Sequence, residues 1–319
     1  MTGAIDYTER VRGVLVGLAV ADAVGAPVEF DSPERITGKR DELFAMPGGG
    51  SFGWAPGEFT DDTQMTIVLA RHLRDCGGEI DQDMLVQSFV EWRDAAADVG
   101  IQTRYVLDAV RRGESWHHAV AALKPDSAGN GSLMRVAPVA IAATSGDNAM
   151  ALARRQSEVT HPNQWCSDAC AVFASLLWDM IRGTSVTVEE LARRAATPRI
   201  TEAVRAAIRP EPPTMSGFVV HTLTGALWAV YGAASYEDAV WRAVSLGEDA
   251  DTVAAVAGAF AGARWGLSSI PTTLSGRLQS RHPLFRDDYP DALVALADAL
   301  ATGSTGTGSN GSSHVDDGR

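Results

Sequence analysis

Two short acidic turns carry the residue types that could bind a hard cation. The first is Thr60-Asp61-Asp62-Thr63, and the second is Glu248-Asp249-Ala250-Asp251-Thr252. Each turn comes directly before an apolar segment, so its carboxylates should lie beside a buried helix. Clustered buried carboxylates repel each other unless they are protonated or bound to a cation. Oxygen-only ligands suit Mg²⁺, Mn²⁺ or Ca²⁺ rather than zinc, so the sequence predicts a shared hard-cation site.

Helix capping is the simpler explanation for either turn, since Asp and Thr are favoured N-cap residues. A cap needs one oxygen acceptor, whereas the first turn holds Asp61 and Asp62 side by side. The second turn holds Asp249 and Asp251 two residues apart, followed by Thr252. For one turn alone, capping and cation binding explain the sequence equally well. The surplus of carboxylates in both turns favours one cation site over two independent caps.

Two further acids lie around the end of the first predicted helix. Glu29 follows Gly25 and Pro27, and by its local sequence it would be interpreted as a solvated loop glutamate. Asp22 lies in the last helical turn, where a negative charge is unfavourable to the helix dipole. This position indicates either a duty in the site or a duty in holding the loop.

The glycine-rich element of the chain is Gly129-Asn130-Gly131-Ser132-Leu133-Met134-Arg135. It matches neither a Walker loop nor a GxGxxG motif. Its glycines permit unusual backbone dihedrals, and exposed N–H groups before the following helix could hold a phosphate. An ordinary loop leading into a helix is the alternative. Arg135 lies in an otherwise apolar segment, so we expect it to have an anionic partner.

Two histidines lie in or near predicted turns. His161 belongs to Thr160-His161-Pro162-Asn163, and His221 belongs to the apolar segment that starts at Gly217. Each is either structural or in contact with a ligand. Neither is expected to bind a hard cation, because such ions prefer oxygen ligands.

The overall charge limits the partners that this chain can have. Its 319 residues include 27 Lys and Arg against 40 Asp and Glu, which gives a net charge of -13. Such a surface would repel a nucleic acid backbone and an anionic membrane, so neither is expected as a partner. A small anionic ligand is still compatible with it, because helix N-termini can hold phosphates. We expect a monomer.

The three cysteines, Cys76, Cys166 and Cys170, are too sparse for a disulfide framework or a zinc knuckle. They are expected to be reduced thiols. No signal peptide pattern fits the N-terminus, and no uncharged apolar run of about 18 residues is present. These features predict a cytoplasmic protein without a membrane-spanning helix.

Helical periodicity dominates the chain, and strict alternation is nearly absent. The sequence therefore predicts an all-α fold, a single compact domain over residues 1–301, with a disordered Gly/Ser-rich tail over 302–319. An irregular loop is expected over Asp31–Gly57, and a linker-like break at Pro210–Pro213. The predicted helices are Glu9–Val24, Thr63–Cys76, Gln82–Asp98, Ile101–Arg112, Leu133–Ala143, Asn148–Glu158, Gln164–Arg182, Val188–Ala196, Gly217–Ala233, Tyr236–Ser245, Thr252–Trp265 and Asp291–Ala299.

Taken together, these motifs resemble the ADP-ribosylglycohydrolase family. The pairing of TDDT with a distant DxDT is specific, although either motif alone would be weak. The resemblance spans nearly the whole chain apart from the tail. In order along the chain, it runs through Gly13–Phe30, Gly57–Leu69, Gly129–Pro138, Thr160–Asn163, Gly217–Trp228 and Gly247–Gly266.

The resemblance implies an all-helical domain that binds two divalent metal ions, Mg²⁺ or Mn²⁺. Glu29 matches the family's loop glutamate, which is linked to catalysis. The matched metal ligands are Thr60, Asp61, Asp62, Asp249, Asp251 and Thr252. The matched positions that line the ADP-ribose groove are Asn130, Gly131, Ser132, Met134 and His161.

The implied reaction is hydrolysis of the glycosidic bond between ribose C1″ of ADP-ribose and an acceptor, such as a protein side chain. Two other functions are compatible with the same residues. One is hydrolysis of a small ADP-ribose conjugate, such as O-acetyl-ADP-ribose. The other is a catalytically silent ADP-ribose-binding protein, which loss of a metal carboxylate or of the loop glutamate would indicate. All of these acids are present, so catalysis is favoured.

Overall fold

The computed structural model describes residues 5–287 and 289–305, and these residues form a helical protein. They contain seventeen α-helices, two short 3₁₀-helices at Ala26–Val28 and Leu267–Ser269, and no β-strand apart from three isolated bridges. The α-helices, numbered α1 to α17 in chain order, are Tyr7–Gly25, Pro33–Ile36, Arg40–Phe44, Asp61–Asp75, Gln82–Arg93, Ile101–Arg111, Trp116–Ala121, Ala137–Ala142, Gly146–Glu158, Gln164–Ile181, Val188–Ala192, Pro198–Ala206, Val219–Tyr231, Tyr236–Val244, Ala250–Trp265, Thr272–Ser275 and Asp291–Thr305.

The predicted all-α class is confirmed, while several predicted helix ends are wrong. The helix predicted over Gln82–Asp98 ends at Arg93, and the one predicted from Leu133 begins only at Ala137. The loop predicted over residues 31–57 contains two short helices, α2 and α3. Such four- and five-residue helices are too short to show a periodic pattern, so periodicity could not predict them.

The centre of the fold is an antiparallel pair, α1 and α15, that packs unusually closely. A Cβ atom added at Gly17 would lie 2.6 Å from the carbonyl oxygen of Gly258, and one added at Gly262 would collide with the carbonyl of Gly13. Both helices are buried over most of their length. Glycine is therefore required at this crossing because the two backbones meet with no room for side chains.

The other long helices surround this pair. Helices α10, α13 and α14 pack against α15, while α17 packs against α1, α4 and α8. Because α1 and α15 are antiparallel, the C-terminal end of α1 lies beside the N-terminal end of α15. The N-terminal end of α4 approaches the same place. One end of the central pair thus collects three helix termini, each with an acidic residue.

The segment Tyr7–Val28 is long and apolar enough to cross a membrane, but 89% of its most apolar window is buried inside the fold. Burial of this kind is typical of a central core helix. At the other end of the chain, α17 extends to Thr305, so the residues from Thr302 to Thr305 are helical and the predicted tail does not start at Thr302. The rest of that predicted tail, 306–319, lies outside the described residues.

Candidate metal centre and ligand groove

The carboxylates of the two acidic turns meet at the end of the central helix pair. One oxygen each from Asp22, Asp62 and Asp251 lie within 4.8 Å of one another. A second group of oxygens, from Glu29, Asp249 and Asp251, satisfies the same limit. Asp251 belongs to both groups. The structure therefore brings the two acidic turns together, with Asp62 and Thr252 lying 190 positions apart in the sequence, as the hard-cation prediction requires, and it does so at two adjoining points.

Asp22 joins α1 to the first acidic turn. Its carboxylate accepts hydrogen bonds from the backbone N–H of Thr60 at 3.0 Å, from the backbone N–H of Thr63 at 3.1 Å, and from the Thr63 hydroxyl. These donors belong to the N-terminal end of α4, where N–H groups lack partners within the helix. The side chain of Asp22 thus holds the first acidic turn rather than the loop that follows α1. One of its oxygens also lies within 4.8 Å of oxygens of Asp62 and Asp251, so a duty in the site is compatible with this geometry.

Capping does not account for the carboxylates. At α4 the N-cap is Thr60, whose hydroxyl accepts from the N–H of Asp62 at 3.3 Å. At α15 the N-cap position is Asp249, but its side chain makes no capping hydrogen bond. Asp249 instead accepts from the side-chain amide of Asn130 at 2.6 Å. The aspartates are therefore available for another duty.

One threonine hydroxyl from each acidic turn lies next to the carboxylate of Asp62. The Oγ1 atoms of Thr60 and Thr252 each lie 3.2 Å from Oδ2 of Asp62. This places the two turns in direct contact across the interface between α4 and α15. The other oxygen of Asp62, Oδ1, is buried and has no hydrogen-bond partner among the described residues. A buried acceptor without a donor costs free energy, which a bound cation would recover.

Electrostatics supports the same conclusion. Burial, followed by repulsion from neighbouring carboxylates, raises the pKa values of Asp61, Asp62 and Asp251 well above their usual range. Burial and the charge of Asp251 raise the pKa of Glu29 to about 11. So many repelling acids favour either protonation or cation binding. An all-oxygen donor set containing orphaned buried oxygens fits Mg²⁺ or Mn²⁺.

Glu29 lies on a strained loop that is tied to the second acidic turn. Phe30 and Glu248 both have left-handed φ angles, 70° and 57°, which are uncommon for residues other than glycine. The N–H of Phe30 donates to the carbonyl of Glu248 at 2.6 Å, and the N–H of Glu248 donates to the carbonyl of Asp31 at 2.8 Å. Oε2 of Glu29 has no hydrogen-bond partner in the described part of the chain. The glutamate that local sequence assigned to solvent is thus buried at the site.

Sequence reasoning missed one acid of the site, Asp98. Its negative charge contributes to the raised pKa of Asp61, and burial raises the pKa of Asp98 itself. The residues before it, Ala95 to Ala97, are strong helix formers, and they favour the predicted helix over Gln82–Asp98. In the structure α5 ends at Arg93, and the loop that follows turns Asp98 towards α4. Gly100, directly before α6, is the signal that could have indicated this loop.

The glycine-rich loop borders the metal centre through Asn130. The same Asn130 amide that reaches Asp249 also donates to the hydroxyl of Thr222 at 2.9 Å. Within the described residues, the backbone N–H groups of Gly131 and Ser132 have no acceptor. Adjacent free N–H groups of this kind are a typical phosphate-binding arrangement. The predicted anion-binding role of this loop is therefore compatible with its geometry.

Two predicted groove residues contribute no exposed side chain. The hydroxyl of Ser132 is fully buried and lies 2.8 Å from that of Ser157, and the side chain of Met134 belongs to the core. Ser132 can therefore reach a ligand only through its backbone N–H. Nor does Ser132 start a helix, because α8 begins at Ala137.

The histidines differ in their environment. His161 is buried, and burial followed by the charge of Arg135 lowers its pKa well below the usual range. His221 is half-buried; its Nδ1 lies 2.9 Å from the Ser216 hydroxyl, and its ring packs edge-on against Phe218. Neither ring belongs to the carboxylate groups found among the described residues.

The expected anionic partner of Arg135 is absent from the described residues, so that expectation was wrong. Its guanidinium donates to the side-chain oxygen of Gln156 at 2.9 Å and to the Thr160 hydroxyl at 2.9 Å. It also lies over the ring of Phe89, 4.4 Å from the ring centre. Neutral acceptors and an aromatic face therefore replace the acid.

Comparison with known proteins places this geometry in one family. The family model described as ADP-ribosylglycohydrolase matches residues 4–310. The chain is 34% identical to an ADP-ribosylarginine hydrolase Tri1 of Pseudomonas putida, over 82% of this chain and 72% of that protein. It is 30% identical to the ADP-ribosyl-[dinitrogen reductase] glycohydrolase of Rhodospirillum rubrum, over 93% of this chain and 99% of that protein.

A solved structure is similar over the same length. The structure, described as an ADP-ribosylglycohydrolase-related protein complex, superimposes with a TM-score of 0.76 at 32% identity. It covers 94% of this chain and 99% of the other. Sequence and fold agree along almost the entire described chain, and the protein therefore belongs to the ADP-ribosylglycohydrolase family, whose members hydrolyse ADP-ribose conjugates.

Proposed function

We propose that this protein is a divalent-metal-dependent hydrolase that releases ADP-ribose from a modified protein side chain. The observation that carries the proposal is the pair of adjoining carboxylate groups, with Asp251 common to both, next to a loop with free N–H groups. A cationic centre beside an anion-binding loop suits a ligand that has a ribose at one end of a diphosphate. The proposal includes two ions, Mg²⁺ or Mn²⁺.

The donor set for these ions comes from both acidic turns and consists only of oxygen atoms. When bound, such ions polarise a water at neutral pH and orient the ribose hydroxyls. Around them the carboxylates favour the positive charge that develops on the ribose as its C1″ bond breaks. The residues that would hold the ions are Thr60, Asp61, Asp62, Asp249, Asp251 and Thr252. Of these, Asp62, Asp249 and Asp251 belong to the two carboxylate groups, and both threonine hydroxyls lie against Asp62. Asp61 is included as a member of the first acidic turn.

Glu29 is the proposed catalytic acid or base. In the metal-free protein, burial and the neighbouring carboxylates raise its pKa to about 11, and a protonated glutamate is what protonation of a leaving group requires. If cations neutralise the surrounding carboxylates, the same oxygen can instead accept a proton from water. Oε2 of Glu29 has no partner among the described residues and is free for either transfer.

Arginine is the acceptor that we propose first. The relatives named ADP-ribosylarginine hydrolase, from Pseudomonas putida and Serratia proteamaculans, are 34% and 32% identical to this chain. The cluster of acids on this face would also attract a cationic guanidinium leaving group. Hydrolysis of an O-acetyl conjugate requires the same groove and the same centre, so it is a separate arm of the test.

The test is to incubate the purified protein with arginine-, serine- and acetyl-linked ADP-ribose, first with Mg²⁺ or Mn²⁺ and then with EDTA. We expect release from the arginine conjugate with metal and none with EDTA. No release from any of the three conjugates would contradict the enzymatic proposal and favour a silent binding protein. Full release in EDTA would contradict the metal mechanism.

A further inference from the structure

A polar cluster that the reaction does not use lies beneath the glycine-rich loop. Its centre is Arg135, which is fully buried and has no carboxylate partner within the described residues. One guanidinium nitrogen, Nη1, makes no hydrogen bond there. Burying a cation in this way costs desolvation free energy, so its retention here suggests a role. Among the described residues, one hydroxyl accepts a hydrogen bond from it, that of Thr160.

The Thr160 hydroxyl has its proton direction fixed by its two neighbours. Arginine can only donate, so the 2.9 Å contact from Nη2 of Arg135 makes the Thr160 oxygen an acceptor. The remaining partner of this oxygen is Nδ1 of His161, at 2.8 Å. Thr160 is fully buried, so bulk solvent does not reach this oxygen as an alternative acceptor. The hydroxyl proton therefore points to Nδ1, which must be unprotonated to receive it.

Nδ1 being an acceptor determines the tautomer of His161. A neutral imidazole with an unprotonated Nδ1 carries its proton on Nε2. Nε2 has no acceptor in the described part of the chain, although Nδ1 is satisfied. This ring edge faces the glycine-rich loop, since a Cβ added at Gly131 would lie 2.9 Å from Cε1 and 3.2 Å from Nε2. The Nε2–H of His161 thus faces the same loop that carries the backbone N–H groups of Gly131 and Ser132, which are also without an acceptor in the described residues.

We propose that Arg135 and Thr160 are positioning residues that hold His161 as the neutral Nε2–H tautomer, so that Nε2–H donates a hydrogen bond to the diphosphate of the ligand. The inference rests on the proposed function, because that function supplies the diphosphate. In this arrangement the donor is set before the ligand arrives, and no proton has to move on binding. Preorganised donors bind anions better than donors that must reorient.

The decisive variants are Thr160→Val, which removes the hydroxyl at nearly constant volume, and Thr160→Ser, which keeps it. Nitrogen-15 NMR of the histidine side chains reports the tautomer directly, and a His161→Gln sample assigns the signal. We expect the Nε2–H form in the wild-type protein and in Thr160→Ser. In Thr160→Val we expect a mixture of both neutral tautomers, because the donor to Nδ1 is gone.

Binding and turnover provide the second readout. Calorimetric titration with ADP-ribose should give a Kd about tenfold higher for Thr160→Val than for the wild-type protein, and a nearly unchanged Kd for Thr160→Ser. In the hydrolysis assay KM should rise by a similar factor in Thr160→Val while kcat stays about the same, because the carboxylate centre is untouched. Arg135→Met should act in the same direction, but its full burial makes folding uncertain, so the Thr160 pair decides.

Several results would overturn this inference. They are an Nδ1–H tautomer in the wild-type protein, an unchanged tautomer in Thr160→Val, or equal loss of ADP-ribose affinity in both Thr160 variants. The last would show that any change at this position weakens binding, whether or not the hydroxyl that contacts Nδ1 is kept. A wild-type protein that binds no ADP-ribose would contradict the proposed function instead, whatever tautomer His161 adopts. The NMR measurement thus separates failure of the inference from failure of the function.

Discussion

At the scale of single residues, the site consists of buried acidic side chains. Burying any one of these carboxylates without a partner would cost free energy. Asp62 and Glu29 each retain a buried oxygen without a hydrogen bond in the described residues. Asp22 differs, since its carboxylate is satisfied by the first turn of α4. This contrast distinguishes Asp62 and Glu29, which have an oxygen available for a ligand, from Asp22, which holds the start of α4 in place. The separation can be tested one side chain at a time.

Asp251→Asn is the sharpest test of the metal centre, because Asp251 belongs to both carboxylate groups. Even partners outside the ligand set typically cost about 10–100-fold in metal affinity, so we expect the Kd for Mn²⁺ to rise by more than about 100-fold. Removing one of several repelling charges should leave the metal-free protein at least as stable as the wild type. Metal titration by calorimetry and thermal unfolding in EDTA measure the two effects.

Asp147→Asn is the matched control for that substitution, since Asp147 is an exposed aspartate in the first turn of α9. It should bind Mn²⁺ as the wild-type protein does. Unchanged Mn²⁺ affinity in Asp251→Asn would show that the ion is held elsewhere.

Glu29→Gln tests catalysis apart from metal binding. Loss of a positioned acid or base typically costs about 10²–10⁴-fold in rate, so kcat should fall by that range. The Kd for Mn²⁺ should change much less, because both acidic turns are intact. Steady-state assays with arginine-linked ADP-ribose provide the measurement, and the exposed Glu34→Gln in α2 is the control. A kcat within threefold of wild type would remove Glu29 from the proposed chemistry.

At the scale of elements, the site is the meeting point of helix ends. The N-termini of α4 and α15 both point at the carboxylates, and the partial positive charge of each terminus favours negative groups there. The C-terminal end of α1 meets them because α1 and α15 are antiparallel and backbone-close. The position of the acids therefore depends on a helix crossing that is remote from them.

Gly258→Ala tests that dependence. A Cβ at this position would lie 2.5 Å from the Cβ of Ala21 and would collide with the carbonyl of Gly17. Alanine gains up to about 1 kcal/mol in helix propensity, but overpacking of a tight crossing typically costs about 1–3 kcal/mol. We therefore expect net destabilisation of roughly 1–2 kcal/mol, measured by urea unfolding.

Gly146→Ala in α9 is the matched control, because its added Cβ would make only an ordinary contact, 3.7 Å from the Trp178 ring. Its free energy of unfolding should change little. If Gly258→Ala were as stable as Gly146→Ala, close packing would not be what fixes the angle between α1 and α15.

The long helices of this protein were predictable from the sequence, whereas the loop conformations were not. Long periodic helices such as α1, α10 and α15 were predictable because the apolar face that builds the core leaves a repeating pattern. Loop conformations were not, because Ala95 to Ala97 favour a helix locally while the tertiary fold ends α5 at Arg93. For that reason the sequence did not identify Asp98 as a residue of the site. Glu29 was identified as a site residue only by family resemblance, because the left-handed φ at Phe30 has no signature in the local sequence.

At the scale of the whole molecule, the acidic centre links folding to pH and to the cation. Without metal, burial raises the pKa of Asp22 from 3.8 to about 6, partly offset by its hydrogen bonds, and it also raises the pKa values of Asp61, Asp62 and Asp251 well above their usual range. A raised carboxyl pKa means that the folded chain binds more protons than the unfolded chain. The free energy of unfolding then falls as pH rises from 3.8 through the folded-state pKa.

Cation binding has the opposite dependence on pH, because only deprotonated carboxylates coordinate a metal. The stabilisation by Mn²⁺ should therefore grow from about pH 5 to about pH 8, as protons compete less. With Mn²⁺ at about 100 times its Kd, binding contributes about 2.7 kcal/mol, which corresponds to a rise in Tm of roughly 5–10 °C. Calorimetric scans with Mn²⁺ and with EDTA across that pH range measure the difference.

The Asp251→Asn variant separates this linkage from general pH effects on the protein surface. It keeps the net acidity of the chain almost unchanged but lacks the carboxylate common to both groups. Its Tm difference between Mn²⁺ and EDTA should be small at every pH. A wild-type difference that stays constant with pH would contradict the linkage, because it would mean that the buried acids are already ionised without a cation. A difference that grows with pH only in the wild-type protein would attribute the linkage to the centre where α1, α4 and α15 meet.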